Sequence, residues 1–131
     1  MSYLLDTNIC IALLKGQDKQ LTEKIHSLSP ADLSLCSVVK GELLYGARKS
    51  RRVEANLKLL GSFFSHFESL PFDDKAAEFY GTVRAILTKA GTPVGANDML
   101  IASIAMGHDR TLVSRNRREL QLIPNLRLES W

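Results

Sequence analysis

The chain has 131 residues, 45% apolar and 24% charged, with a formal net charge of +3 and a pI near 9.0. That length suits one domain, residues 1–131, with a core of its own, and no apolar run is long enough to span a bilayer. Two cysteines, Cys10 and Cys36, lie in apolar stretches without CxxC or Cys/His spacing, which excludes a disulfide scaffold or a zinc cluster and leaves reduced core thiols. The mild basic excess admits a nucleic acid as partner without requiring one. Met1-Ser2 runs straight into strand residues with no basic leader, so a cytoplasmic protein is expected.

The first predicted element is the strand Tyr3-Leu4-Leu5, which meets Asp6 and then Thr7-Asn8 and the apolar run Ile9 to Leu14. Leu21, Ile25 and Leu28 mark a short helix; Leu33 to Cys36 form a second strand. Ser37 is the expected N-cap of a helix carrying Val38, Val39, Leu43, Leu44 and Ala47. Val53, Leu57, Leu60 and Phe64 mark the next helix, Phe67 to Leu70 a strand, and residues 74–90 the clearest helix, ended by Gly91. A loop through Thr92-Pro93-Val94-Gly95-Ala96 leads to an apolar helix over Met99 to Met106, capped by Asn97 or Asp98 and closed by Gly107. Strands at Thr111 to Val113 and Leu126 to Leu128 complete the chain. Strands separated by helices imply βαβ crossovers and a mostly parallel sheet covered on both faces.

Three carboxylates stand out by placement. Asp6 follows the first strand, Glu42 lies in the first turns of the helix after the second strand, and Asp98 opens the late apolar helix. In a parallel sheet the C-terminal ends of strands and the N-termini of following helices share one edge, where all three are expected to converge. Each has a plain structural alternative, Asp98 as a helix-dipole partner and Glu42 as a solvated helical residue. Together they differ: two unit charges about 4 Å apart repel by about 4 kcal/mol at an effective dielectric near 20. Such a cluster needs raised pKa values or a divalent cation, and an all-oxygen site suits Mg²⁺ or Mn²⁺.

The runs Leu4-Leu5-Asp6-Thr7-Asn8, Ser37 to Gly46 and Pro93 to Ala102, with the tail Val113 to Leu120 closing on Leu128-Glu129-Ser130-Trp131, together resemble PIN-domain ribonucleases, and more narrowly VapC toxins of type II toxin-antitoxin systems. The match runs in order through nearly the whole chain. It implies a PIN-like three-layer α/β/α sandwich and a Mg²⁺-dependent endoribonuclease, with Mn²⁺ as a substitute. Asp6, Glu42 and Asp98 would be its acidic core and metal ligands. At the fourth acidic position of the family this chain has Asn116, with Glu119 three residues on, so both enter as catalytic candidates. Asn8, Ser37 and Ser114 are expected to support the carboxylates or, for Asn8 and Ser37, to cap helices.

Of two basic groups, Arg48, Lys49, Arg51 and Arg52 mark a helix junction, while Arg110, Arg115, Arg117 and Arg118 adjoin a catalytic motif. Arg115, Arg117 and Arg118 are therefore the candidate RNA contacts. The resemblance further implies a homodimer, a small antitoxin laid over the acidic edge, and RNA as substrate, with initiator tRNA cut in its anticodon loop. Val53, Leu57, Leu60, Phe63 and Phe64 are the expected partner surface. His26, His66 and His108 are isolated, and Trp131 is expected to pack against the domain.

Two other classes fit parts of the pattern. A metal-dependent phosphatase or phosphoacceptor domain also places Asp after the first strand, but one such family requires a second Asp where this chain has Asn8. A degenerate binding module without catalysis is favoured by Asn116 and opposed by the three intact acidic positions. P-loop, GxGxxG and GxSxG motifs are missing from the sequence.

Overall fold

Strand β1 (Tyr3–Leu5) occupies the middle of a five-stranded sheet ordered β3-β2-β1-β4-β5, with β2 at Leu33–Cys36, β3 at Glu68–Leu70, β4 at Thr111–Val113 and β5 at Leu128–Glu129. The computed structural model describes residues 1–92 and 94–131, so the Pro93 part of the expected loop lies outside the described residues. Every pairing is parallel, with Leu4 opposite Ser34 on one side and Leu112 on the other. All residues of β1, β2 and β4 are buried regardless of which way they point. That is the mark of a sheet covered on both faces, as in a three-layer α/β/α sandwich.

Among the described residues seven α-helices provide the cover: α1 (Thr7–Lys15), α2 (Lys19–His26), α3 (Ser37–Arg48), α4 (Val53–Phe64), α5 (Asp74–Ala90), α6 (Ala96–Gly107) and the short α7 (Arg117–Leu120). Leu4, Leu35 and Leu112 of the sheet and Ile101 and Ile104 of α6 are completely or nearly completely buried. Each such side chain contributes roughly 1.5–3 kcal/mol, and this shared core fixes α6, and with it Asp98, against the sheet. Gly107 has a packing role as well as a terminal one: a Cβ there would lie 3.0 Å from the backbone of Ala76, so its absence lets α6 approach α5. His108, not Gly107, is the C-cap.

The caps differ from expectation. Asp6 itself caps α1, accepting the Ile9 N–H at 2.9 Å, so neither Thr7 nor Asn8 does so. Cys36 stands at the N-cap of α3 without a side-chain bond, and Ser37 is the first helical residue, its hydroxyl directed at the Leu70 carbonyl at 3.5 Å. Gly95 occupies the N-cap of α6, which starts two residues before Asp98. Good capping side chains lost these places because β2 and the preceding loop deliver the chain into the helix earlier than the apolar pattern suggests. Strand β3 starts at Glu68 rather than Phe67, β5 spans Leu128–Glu129 rather than 126–128, and α2 ends before Leu28.

The α4 surface also differs. Leu60 is buried, and Val53, Leu57, Phe63 and Phe64 are only partly exposed, the last three packed against the core. Phe63 stacks at a tilt on Phe67, with centroids 5.0 Å apart. Ile11, Leu44, Tyr45 and Leu59 are the exposed apolar side chains of this region instead. Cys10 and Cys36 are buried free thiols, and burial drives both pKa values up, that of Cys36 to about 11. They are inert at neutral pH. Among the described residues no helix is long and apolar enough to cross a membrane.

Candidate active site

Chain order places β2 on one side of β1 and β4 on the other, so the sheet reverses its winding beside β1. In open parallel sheets that reversal opens a crevice at the carboxyl ends of the strands. Asp6 stands there: its N–H continues the ladder by donating to the Val113 carbonyl at 3.1 Å, and its side chain then caps α1. The residue is only 6% exposed. Burial raises its pKa, and the nearby charges of Asp98 and Glu42 add to the rise; hydrogen bonds from the Ser114 hydroxyl and the Ile9 N–H oppose it.

Ser114, buried at the end of β4, joins two parts of the site. Its hydroxyl bonds the Asp6 carboxylate and accepts the Asn116 backbone N–H at 3.0 Å. Asn116 in turn donates its side-chain amide to Asp98 Oδ2 at 2.8 Å and to Glu119 Oε2 at 3.3 Å. Glu119 reaches back from α7, a four-residue helix too short to show in the apolar pattern. Asp98 is half-buried; burial raises its pKa, the Asn116 amide opposes the rise, and the charges of Glu119 and Glu42 reinforce it.

Glu42 projects from α3 between two donors that the sequence does not single out. Thr7 donates its hydroxyl to Oε1 at 2.6 Å and Asn97 its amide to Oε2 at 3.2 Å. The five expected residues Asp6, Glu42, Asp98, Asn116 and Glu119 thus lie at one sheet edge, and Thr7 and Asn97 join them. Asn8 is exposed on α1 and lines a cleft of about 750 Å³ that Glu42 borders. Ser37, directed at Leu70, makes no hydrogen bond to a carboxylate among the described residues.

The donor set is all oxygen, which fits a hard divalent cation. Among the described residues no three His, Cys, Asp or Glu side chains are drawn into a ready-made metal cage. Asn116 lies between Asp98 and Glu119, while Thr7 and Asn97 occupy both oxygens of Glu42.

The basic residues divide. Arg115 is engaged: its guanidinium pairs with Asp18, the N-cap of α2, and donates to the Trp131 carbonyl at 2.8 Å. Trp131 packs edge-on against Tyr3 with centroids 4.9 Å apart and lies under the Lys24 ammonium. Arg110 pairs with Glu68. Arg117 and Arg118 are exposed on α7 and form no ion pair among the described residues.

The chain as a whole, in sequence and in fold, is similar to characterised proteins. Residues 3–125 match the PIN domain family. The chain is 37% identical over 131 residues to the tRNA(fMet)-specific endonuclease VapC of Salmonella typhimurium, covering all of this chain and 98% of that one. It is 38% identical over 132 residues to the ribonuclease VapC2 of Rickettsia felis, with the same coverage. Its fold superposes on the crystal structure of VapBC2 from Rickettsia felis bound to a promoter DNA fragment with a TM-score of 0.93, covering 100% and 99% of the two chains at 37% identity. The DNA-bound VapBC of Salmonella typhimurium gives 0.94, covering 100% and 98% at 37% identity. By sequence along its whole length and by fold, the chain belongs to the PIN-domain family, among the VapC ribonucleases.

Proposed function

We propose that residues 1–131 act as one cytoplasmic domain, a Mg²⁺-dependent endoribonuclease that serves as the toxin of a type II toxin-antitoxin pair and stops translation by cutting RNA. The observation that carries this reading is the meeting of Asp6, Glu42, Asp98 and Glu119 at the reversal point of the sheet, with Asn116 between the last two. Burial and mutual charge raise the pKa values of Asp6 and Asp98, and a bound cation would relieve both. Asp6 and Asp98 would hold it; Mg²⁺ is the ion preferred, and Mn²⁺ is an acceptable substitute.

When bound, Mg²⁺ would polarise the scissile phosphate and neutralise charge developing on its oxygens. The chain supplies positioning. Glu42, fixed by Thr7 and Asn97, orients the attacking water and accepts its proton as the water oxygen bonds to phosphorus. The bond from phosphorus to the 3′ oxygen breaks in line, and that oxygen takes a proton from solvent water, leaving a 5′-phosphate and a 3′-hydroxyl. Asn116 and Ser114 keep Asp98 and Asp6 from reorienting, as partners of ligating carboxylates do.

The substrate is tRNA in this reading, with the initiator tRNA favoured because a relative identical at 37% of positions is named a tRNA(fMet)-specific endonuclease. The partner is a VapB-type antitoxin, since the superposed structures are toxin-antitoxin complexes, and the toxin itself pairs as a homodimer. An apolar hollow of about 460 Å³ between α1, α3 and α4, lined by Ile11, Leu14, Leu43, Leu59 and Leu60, also borders Glu42. An antitoxin segment seated there would adjoin the catalytic edge.

The deciding experiment is RNA sequencing of cleaved ends after expression in a bacterial host, with Asp6→Asn as control. Discrete 5′-phosphate ends that vanish in the variant are expected. Ends that persist unchanged in a folded Asp6→Asn protein, or cleavage undiminished in EDTA, would overturn the metal-site assignment.

A further inference from the structure

We propose that Tyr45 of α3, one helical turn from Glu42, and Lys49 at the C-cap of that helix form a stacking subsite for an unpaired base of the RNA. The inference rests on the ribonuclease reading above and adds where the substrate lies. Tyr45 is 66% exposed, although a tyrosine ring ordinarily finds apolar cover. It follows Glu42 by three residues, so both lie on one face of α3, and both line the cleft of about 750 Å³ that Asn8 and Asn97 close on its other side. That volume is in the range of sites that bury a small-molecule-sized group.

Two further observations point to the ring as a platform. Lys49 places its ammonium 5.0 Å from the ring centroid, which puts a positive charge within reach of a phosphate adjoining a base stacked on this largely exposed ring. Gly41 and Gly46 flank Tyr45 within the helix, and a Cβ at either would meet nothing within 4 Å. Glycine inside a helix costs about 1 kcal/mol relative to alanine, and close packing does not account for it here. Both glycines line the same cleft as Tyr45, so they keep the helix backbone beside the ring uncovered.

Aromatic stacking suits this substrate class. Unpaired bases present a π-face whatever their identity, and single-strand recognition uses such platforms beside a cation that follows the backbone. Asn8, exposed on α1, lines the same space, and its amide has the donors and acceptor to read a base edge. A four-carboxylate site repels RNA, and Lys49 supplies an opposing charge on the approach.

The test measures affinity in the Asp6→Asn protein, which binds without turnover, using a single-stranded oligoribonucleotide with 2-aminopurine beside the cleavage site and Mg²⁺ present. Tyr45→Ala is expected to weaken binding by about five- to hundredfold and to abolish the quenching of 2-aminopurine that stacking produces, whereas Tyr45→Phe retains both. Equal affinity for Tyr45→Ala, or an equal loss in Tyr45→Phe, would overturn the subsite. A wild-type chain that cuts RNA while Tyr45→Ala binds normally removes this inference alone; a wild-type chain that neither binds nor cuts RNA removes the ribonuclease reading as well.

Discussion

The side-chain amide of Asn116 donates to Asp98 Oδ2 across 2.8 Å, placing a hydrogen-bond donor at the position where the resemblance to PIN-domain ribonucleases implies a fourth carboxylate. The same nitrogen lies 3.3 Å from Glu119 Oε2, so it offsets the repulsion of two acids without adding charge. Asn116→Asp should reverse that polarity. In EDTA the variant is expected to be less stable by about 1 kcal/mol, a value limited by solvent screening, and Mg²⁺ should raise its Tm by more than it raises that of the wild type. Thermal unfolding with and without Mg²⁺ checks this, and identical responses would show that Asn116 does not govern the charge balance of the site.

The buried carboxylate of Asp6 makes a prediction about pH. Its folded pKa is raised, chiefly by burial, so between the ordinary value near 3.9 and the raised one the folded chain binds more protons than the unfolded chain. Stability then falls as pH rises through that window, and above the raised value the penalty is fully present. Asn keeps the cap on α1 but carries no charge. In EDTA at pH 7, Asp6→Asn should match or exceed the wild-type Tm, and the difference should vanish below about pH 3.9. A variant less stable at pH 7 would mean that the ionised carboxylate holds the fold together.

Much of this edge was legible in the chain because the physics there is local. Leu4-Leu5 before Asp6 reads as a strand ending in a carboxylate, and the β/α alternation then fixes which edge it faces. The parallel sheet followed from strands separated by helices, since such βαβ units join parallel neighbours. Thr7 and Asn97 were not legible as partners of Glu42, because they lie 35 and 55 residues from it and only tertiary packing joins them. Capping propensity misled at Ser37, Asn97 and Asp98, where the preceding backbone decides the first helical residue. The α4 surface failed for another reason: with apolar residues around much of the helix, periodicity could not say that Leu59 faces out while Leu60 faces in.

The Thr7 hydroxyl, 2.6 Å from Glu42 Oε1, is the shortest hydrogen bond that holds a site carboxylate. Thr7→Val preserves shape and branching while removing the donor. If Glu42 must be aimed to accept a proton, RNA cleavage should drop by about ten- to hundredfold, the usual effect of losing a group that orients a ligand, with Mn²⁺ affinity by calorimetry almost unchanged. Restored activity in Thr7→Ser would tie the effect to the hydroxyl. Wild-type rates in Thr7→Val would show that Asn97 alone aims Glu42.

Arg115, Arg117 and Arg118 are near neighbours with opposite expected roles. Arg117 and Arg118 stand exposed on α7 beside Glu119, without an ion pair among the described residues. If they meet phosphates, the double variant Arg117→Ala, Arg118→Ala should lower the slope of log affinity against log salt by about 1.4, at about 0.7 per contact on a single strand. Arg115 instead ties the N-cap of α2 to the carbonyl of Trp131. Arg115→Ala should leave the salt slope unchanged and speed hydrogen exchange in α2 and over residues 128–131, because the tail that packs on Tyr3 loses its tether. The two measurements separate a residue that binds RNA from one that holds the C-terminus, and a fall in slope for Arg115→Ala would move it to the first group.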